Sequence, residues 1–216
     1  MESLDPITYC PLCLKKAASF LRIEGQEHYW RCTSCDSVFM DRKDLLSAEK
    51  EKQRYDLHQN DISDPGYMEY LAPLRDDVLK HVARGSRGLD FGCGPSPALA
   101  KSLAPDYQID LYDPFFFADF DLQGKAYDFV MTTEVVEHFA NPNAEFFKLK
   151  SLLKPGASLW IMTQLFREEV DFRNWYYRRD PSHIFFYSEK AFTWIQKEFG
   201  FSGLTRPHPR VIRFIL

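Results

Sequence analysis

The stretch Leu89-Asp90-Phe91-Gly92-Cys93-Gly94-Pro95-Ser96-Pro97 restricts the fold more than any other part of the chain. Leu89-Asp90-Phe91 reads as the end of a buried strand, Gly92-Cys93-Gly94 as a tight turn, and Pro97 onward as the start of a helix. A strand that passes through a glycine turn into a helix opens a parallel α/β unit, and its glycines let the backbone approach a bound ligand closely. The third glycine of G-x-G-x-x-G is absent, because Pro97 occupies its place. Asp90 puts a carboxylate where a pyrophosphate would be repelled, so the loop suits a cationic or hydroxyl-bearing ligand instead.

The 216 residues suffice for one ordinary domain plus a small module. Forty-five per cent are hydrophobic and 27% charged, enough for a core. A net charge of −4 supplies no basic tail for nucleic acid. No run of apolar residues is long enough to span a bilayer, and the N-terminus lacks a basic region followed by an apolar stretch. The expected location is therefore cytoplasmic, with no membrane partner.

Two C-x-x-C pairs, Cys10/Cys13 and Cys32/Cys35, stand 18 residues apart, a spacing that suits four thiolates around a structural Zn²⁺. Between and after them, strands are expected at Ala18–Ile23, His28–Arg31 and Asp36–Met40, with Gly25 in the first turn. This pattern resembles a zinc ribbon, placed at residues 1–40. Lys15, Lys16, Arg22 and Arg31 face Glu24, Glu27 and Asp36, and zinc on four thiolates adds a net charge of about −2. A fold-stabilising knob or a substrate-side wall is favoured over a nucleic-acid reader, which needs clustered cations.

Residues 41–84 read as a helical linker or lid. An exposed helix is expected within 41–56, a turn at Asp61–Gly66, and a second helix from Tyr67 through Val82. His58 and Asn60 lie between, either as loop and cap residues or as part of a lid over a pocket.

From residue 85 to 216 the motifs fall in a familiar order. D-x-G-x-G at Asp90–Gly94 resembles motif I of the class I S-adenosylmethionine (SAM)-dependent methyltransferases, and Asp113 follows about twenty residues later, at the end of the next strand. Asp128 through Met131 resembles motif IV, and residues 152–165 resemble the later helix–Pro-Gly–strand element. The resemblance implies a Rossmann-like α/β sandwich that binds SAM through Asp90, Gly92, Cys93, Gly94, Asp113, Pro114 and Thr133. Asp113 would hold the ribose hydroxyls, and Cys93 serves as a small loop residue. One departure is plain: the stretch from Asp113 to Asp128 is too short for the usual helix and strand. The region before the fourth strand is therefore shortened, and the adenine contacts fall to Asp119, Asp121 or the Phe115–Phe117 run.

Thr132–Phe139, TTEVVEHF, follows motif IV. If it is helical, Glu134, Glu137 and His138 share one face. The motif resembles those of the ubiquinone-pathway O-methyltransferases and of the small-RNA terminal 2′-O-methyltransferases. That resemblance implies a divalent metal, Mg²⁺ or Mn²⁺, on Glu134, Glu137, His138 and a later histidine, here His183. Two other readings stand beside it: His138 or His183 as a base or substrate contact, and a purely structural turn. Phe166–Asp180 interleaves aromatics with four arginines, matched by four acids, and reads as a substrate lid, as core, or as an RNA contact. A helix at Ser188–Phe199 and a strand pair at Phe201–Thr205 and Val211–Leu216 complete the body. The expected function is SAM-dependent O-methylation of a small metabolite. The alternatives are an RNA methyltransferase docked by its ribbon and an inactive SAM-binding module.

Overall fold

The computed structural model describes residues 8–23, 27–55 and 62–216. Gly25, His58, Asn60 and Asp61, named above, lie outside them. The ribbon region forms β1 (Thr8–Tyr9), β2 (Lys16–Arg22), β3 (His28–Cys32) and β4 (Val38–Met40), in antiparallel order. Two residues adopt left-handed backbone here, Leu14 (φ 59°) and Asp36 (φ 64°), each directly after the second cysteine of a pair. That turn swings the two sulfurs of each pair toward the other pair.

Beyond the ribbon come α1 (Ala48–Tyr55), α2 (Pro65–His81), β5 (Arg87–Phe91), α3 (Ala98–Leu103), β6 (Gln108–Tyr112) and β7 (Tyr127–Thr133). They are followed by α4 (Pro142–Ser151), β8 (Leu153–Met162), β9 (Phe185–Phe186), α5 (Glu189–Glu198), β10 (Gly203–His208) and β11 (Val211–Ile215). Asp64 caps α2 by accepting the Gly66 N–H at 2.8 Å, and Ser188 caps α5 by accepting the Ala191 N–H at 3.1 Å.

Six strands form the main sheet in the order β10-β11-β8-β7-β5-β6, parallel from β8 to β6 and antiparallel at β10 and β11. Alternation along the central strands sends side chains to both faces. Phe129, Met131, Trp160 and Met162 pack under α2 and α3, whereas Val130, Leu159 and Ile161 pack under α4 and α5. Burial on both faces explains why these strands read as continuous apolar runs. The shortened segment removes both the helix and the strand: residues 114–126 hold only turns, and β6 is the edge of the sheet.

The boundary drawn at residue 40 runs through a sheet. β9, far along the chain, pairs antiparallel with β4, so the ribbon's sheet has the order β1-β2-β3-β4-β9. Leu12, Trp30, Phe39 and the four ribbon cysteines share one apolar core with Phe185 and Tyr187. A separate cluster under the ribbon joins Tyr29, Val38 and Met40 to Phe166, Phe172, Tyr177 and Phe186.

Candidate active site

One large cavity, about 740 Å³, opens at the carboxyl ends of β5, β6 and β7, where open α/β sheets bind ligands. All seven residues expected to bind SAM, Asp90, Gly92, Cys93, Gly94, Asp113, Pro114 and Thr133, lie in its wall. Gly92 has φ 79°, and a Cβ there would stand 2.5 Å from Val135 Cγ2, so only glycine fits. The Gly92 and Cys93 N–H groups donate to the Tyr112 carbonyl at 2.7 and 3.1 Å, tying the loop to the end of β6.

Asp113 organises this half. Its Oδ2 accepts the Gly94 N–H at 3.0 Å, and its Oδ1 accepts those of Phe115 and Phe116 at 2.9 and 3.2 Å. One buried carboxylate thus fixes both the glycine loop and the turn that replaces the missing helix. Phe115 reaches the cavity wall, while Phe116, Phe117, Asp119 and Asp121 do not. Of the adenine-contact candidates, Phe115 alone is therefore placed at the site. Asp90 is buried, and that burial pushes its carboxyl up to about 7. Burial also pushes the Cys93 thiol up, which keeps it inert.

The TTEVVEHF turn is not an α-helix. Thr133 ends β7, Glu134 adopts left-handed backbone (φ 54°), and only Val136–His138 form a short 3-10 turn. The reversal at Glu134 breaks the shared face expected of Glu134, Glu137 and His138. Ligand atoms of Glu137, His138 and His183 lie within 4.8 Å of one another, and Glu134 is not in that group. His138, His183 and Glu134 line the cavity, whereas Glu137 stands behind it, wholly buried.

Glu137 is also occupied. Its Oε1 bonds the Tyr177 hydroxyl, its Oε2 bonds Thr163 Oγ1 at 3.1 Å, and those two hydroxyls meet at 3.0 Å. Three contacts need three hydrogens, and the hydroxyls supply two, so a proton on Glu137 completes the ring. Burial first, and then the Glu134 charge, hold the Glu137 carboxyl well above its ordinary range, which agrees. With Glu134 outside the group, one carboxyl and two imidazoles remain, a poor set for Mg²⁺, which favours oxygen ligands.

The histidines are well defined. His138 Nδ1 lies 2.7 Å from the Ser182 carbonyl, and His183 Nδ1 lies 2.7 Å from the Tyr177 carbonyl. A carbonyl only accepts, so each Nδ1 carries the hydrogen and each Nε2 is the basic nitrogen. The rings stand 4.8 Å apart at 72°. Glu134 Oε1 and Thr133 Oγ1 are buried polar atoms without a hydrogen-bond partner among the described residues.

Several wall residues were not expected from the sequence. Tyr67 and Tyr70 come from α2, and burial pushes the Tyr67 hydroxyl up to about 12. Glu51, Arg54 and Tyr55 come from α1, which is thus part of the site rather than a plain exposed connector. Arg54 Nη2 donates to Asp180 Oδ2 at 2.9 Å, and Tyr55 packs edge-on to His138 at 5.1 Å. The stretch 166–180 divides: Phe166 and Phe172 are core under the ribbon, while Tyr176, Tyr177, Arg179 and Asp180 face the cavity. No described residue of 8–40 lines the cavity, which gives the substrate-side wall no support.

The four ribbon cysteines are buried, with Sγ–Sγ distances of 3.7 Å for Cys10–Cys35 and 3.3 Å for Cys13–Cys32. Tetrahedral zinc at about 2.3 Å from each sulfur spaces them about 3.8 Å apart. Hydrogen bonds from the neighbouring sulfurs, Cys13 first, and burial push the Cys10 thiol up, so four thiolates together require a cation.

A family model described as a methyltransferase domain matches residues 65–205, about two thirds of the chain. The chain belongs to this methyltransferase family. No curated protein sequence matches it. Solved structures similar to this methyltransferase include phosphoethanolamine N-methyltransferase 2 of Haemonchus contortus, in complex with phosphomonomethylethanolamine and S-adenosylhomocysteine. It is 17% identical with a TM-score of 0.50, and the match covers 71% of this chain but 42% of that protein. YcgJ of Bacillus subtilis is 14% identical, with a TM-score of 0.50 over 62% of this chain and 70% of its own. A chain from the complex of the Haloferax volcanii Trm112 methyltransferase activator with a methyltransferase is 15% identical. Its TM-score is 0.50, over 74% of this chain and 79% of that one. At these identities the likeness is one of fold.

Proposed function

We propose that this methyltransferase carries the methyl group of SAM to an oxygen of a small-molecule acceptor, with His138 as the base. The observation that carries this reading is the pair of imidazoles, His138 just after β7 and His183 facing it, each with Nδ1 donating to a backbone carbonyl so that Nε2 carries the ring's lone pair. SAM supplies an electrophilic methyl on a sulfonium. The acceptor oxygen forms the new O–C bond, the S–C electron pair returns to sulfur, and His138 Nε2 takes the acceptor's proton. His183 stands beside it as a substrate contact. Alignment of acceptor and methyl supplies much of the acceleration.

Three features of the site suit SAM. The cavity falls within the 300–1,000 Å³ usual for such ligands. Asp90, Asp113 and Glu134 give its wall the sign that a cationic ligand needs. Asp113 retains lone pairs for ribose hydroxyls beyond its three backbone bonds. The Cys10, Cys13, Cys32 and Cys35 set would hold a structural zinc. Among the described residues no helix is long and apolar enough to cross a membrane. The wall sets Arg54, Lys148 and Arg179 against Glu51, Asp90, Asp113, Glu134, Glu145 and Asp180, a balance that disfavours a polyphosphate such as RNA.

The test incubates the protein with methyl-labelled SAM and cell extract, then separates small molecules, protein and RNA. Label in the small-molecule fraction, lost in His138→Ala and insensitive to EDTA while the ribbon keeps its zinc, is the expected result. Label in RNA, or stimulation by Mn²⁺ that Glu137→Gln abolishes, would replace this reading.

A further inference from the structure

The segment from Tyr177 to Phe186 has two faces. On one, Tyr177, Arg179, Asp180 and His183 line the cavity. On the other, the segment is built onto the ribbon. Arg178 Nη1 donates to the Tyr29 hydroxyl at 3.4 Å and pairs with Glu27 Oε2 at 3.6 Å. The Met40 N–H donates to the Ile184 carbonyl at 2.9 Å, and β9 aligns Phe185 with Phe39 and Phe186 with Val38. The Phe39 and Phe185 rings stack at 6.0 Å and 12°. Immediately beyond, Ser188 Oγ donates to the carbonyl of Cys35 itself at 2.9 Å.

We infer that the N-terminal ribbon is a positioning module for the acceptor side of the active site, setting the place of His183 through β4 and β9. The role of His183 in catalysis comes from the function proposed above. The reasoning is one of sheet stability. A two-residue strand has no stability of its own, so β9 draws on the edge that β4 offers, beside the hydrogen bonds of Ile184 N–H to the Glu137 carbonyl and of Phe166 N–H to the Tyr187 carbonyl. The ribbon in turn is too short to build a core of its own and depends on its cysteine cluster. Loss of metal therefore loosens β4, then β9, then His183, which is two residues from β9. No described ribbon residue lines the cavity, and this segment is the stretch that touches both. The donor side, set by Asp90, the glycine loop and Asp113, takes no hydrogen bond from the ribbon among the described residues.

The experiment compares full-length protein, zinc-loaded and chelated, with the Arg178→Gln and Glu27→Gln variants. Three quantities are read: affinity for S-adenosylhomocysteine by calorimetry, amide hydrogen exchange at Ile184–Phe186, and label transfer to a pooled metabolite fraction. Arg178→Gln is expected to keep S-adenosylhomocysteine affinity within about twofold, speed exchange at 184–186 at least tenfold, and cut kcat about tenfold or more. Zinc removal should move the same readouts further in the same direction, and Glu27→Gln less far. Unchanged exchange at 184–186 in Arg178→Gln and after chelation would overturn the inference. So would S-adenosylhomocysteine affinity falling in step with activity in the zinc-loaded variants, since that marks general loss of fold. A His183→Gln protein that keeps full activity would instead remove the catalytic role of His183, and the exchange data would still decide whether the ribbon holds the segment.

Discussion

The cavity has two sides that are assembled in different ways. The proposed donor side lies mainly within residues 90–115, one strand–loop–helix–strand unit whose turn is fixed by local backbone and by one carboxylate, with Thr133 added from the end of β7. The proposed acceptor side takes residues from α1, α2, the end of β7 and the stretch 176–183, the last of which packs on the ribbon through Tyr177. A side made from one continuous segment can be read in order along the chain. A side made from four segments depends on contacts across more than a hundred residues, such as Arg54 with Asp180 and Tyr29 with Arg178.

If the division holds, damage to one side should leave the other working. The largest effect is expected from His138→Ala: kcat falls about 10²–10⁴-fold, while S-adenosylhomocysteine affinity by calorimetry stays within about twofold. A matched loss of affinity would merge the two sides. Next is Asp113→Ala, which removes the acceptor of three N–H groups as well as the proposed ribose ligand. SAM affinity should drop about 100-fold, and the melting temperature should fall by several degrees, consistent with about 1–3 kcal/mol per stranded donor set. Gly92→Ala comes third, combining left-handed backbone with the 2.5 Å approach to Val135. It should cost about 1–3 kcal/mol, and Val135→Ala should restore part of the stability but not the backbone conformation.

The fourth prediction concerns pH. Burial holds Asp90 at about 7 in the folded protein, against an ordinary value of 3.8. Between those values the ligand-free folded state keeps a proton that the unfolded chain has lost, so this group's contribution to stability is greatest below about pH 4 and declines as pH rises to about 7. A cationic ligand wants the carboxylate, so SAM affinity should rise across the same upper limit. Asp90→Asn should flatten the affinity profile and raise the melting temperature of ligand-free protein at pH 8 by a few degrees. A profile as steep as the parent's would assign the titration to another group. The smallest effect is expected at Arg54→Ala. It opens the pair with Asp180, which Arg54 and Ser182 hold well below the usual carboxylate range despite burial. A half-exposed pair of this kind should raise the acceptor KM only about two- to fivefold.

The donor side was legible because its chemistry is local. Gly92 and Gly94 announce positive φ, Asp113 arrives one strand later, and the short run to Asp128 shows on length alone that an element is missing. The Cys10, Cys13, Cys32 and Cys35 spacing was as direct. Glu134 was not legible, since nothing in a glutamate marks it for left-handed backbone, and the helical face expected of Glu134, Glu137 and His138 failed there. Tyr177 was missed because its role is a contact with Glu137 across forty positions. The clue available was Tyr176-Tyr177-Arg178-Arg179 just ahead of His183, where Tyr176, Tyr177 and Arg179 face the cavity and Arg178 faces the ribbon. Tyr67 and Tyr70 fall within the helix expected from Tyr67 through Val82, and their place at the cavity follows from where α2 docks.

The missing strand also changes what the molecule shows to its neighbours. β6 ends the sheet, so one row of its main-chain N–H and C=O groups has no strand beyond it among the described residues. Such a border invites stacking by a stray chain, especially in crowded or partly unfolded protein. Here Asp110 sits in the middle of the strand, held by Arg87 at 2.7 Å and by the Tyr127 hydroxyl at 2.9 Å. A newcomer aligning there would have to bury that fixed charge. The same shortening thus left β6 as a border strand with an ion pair, Asp110 to Arg87, at its middle.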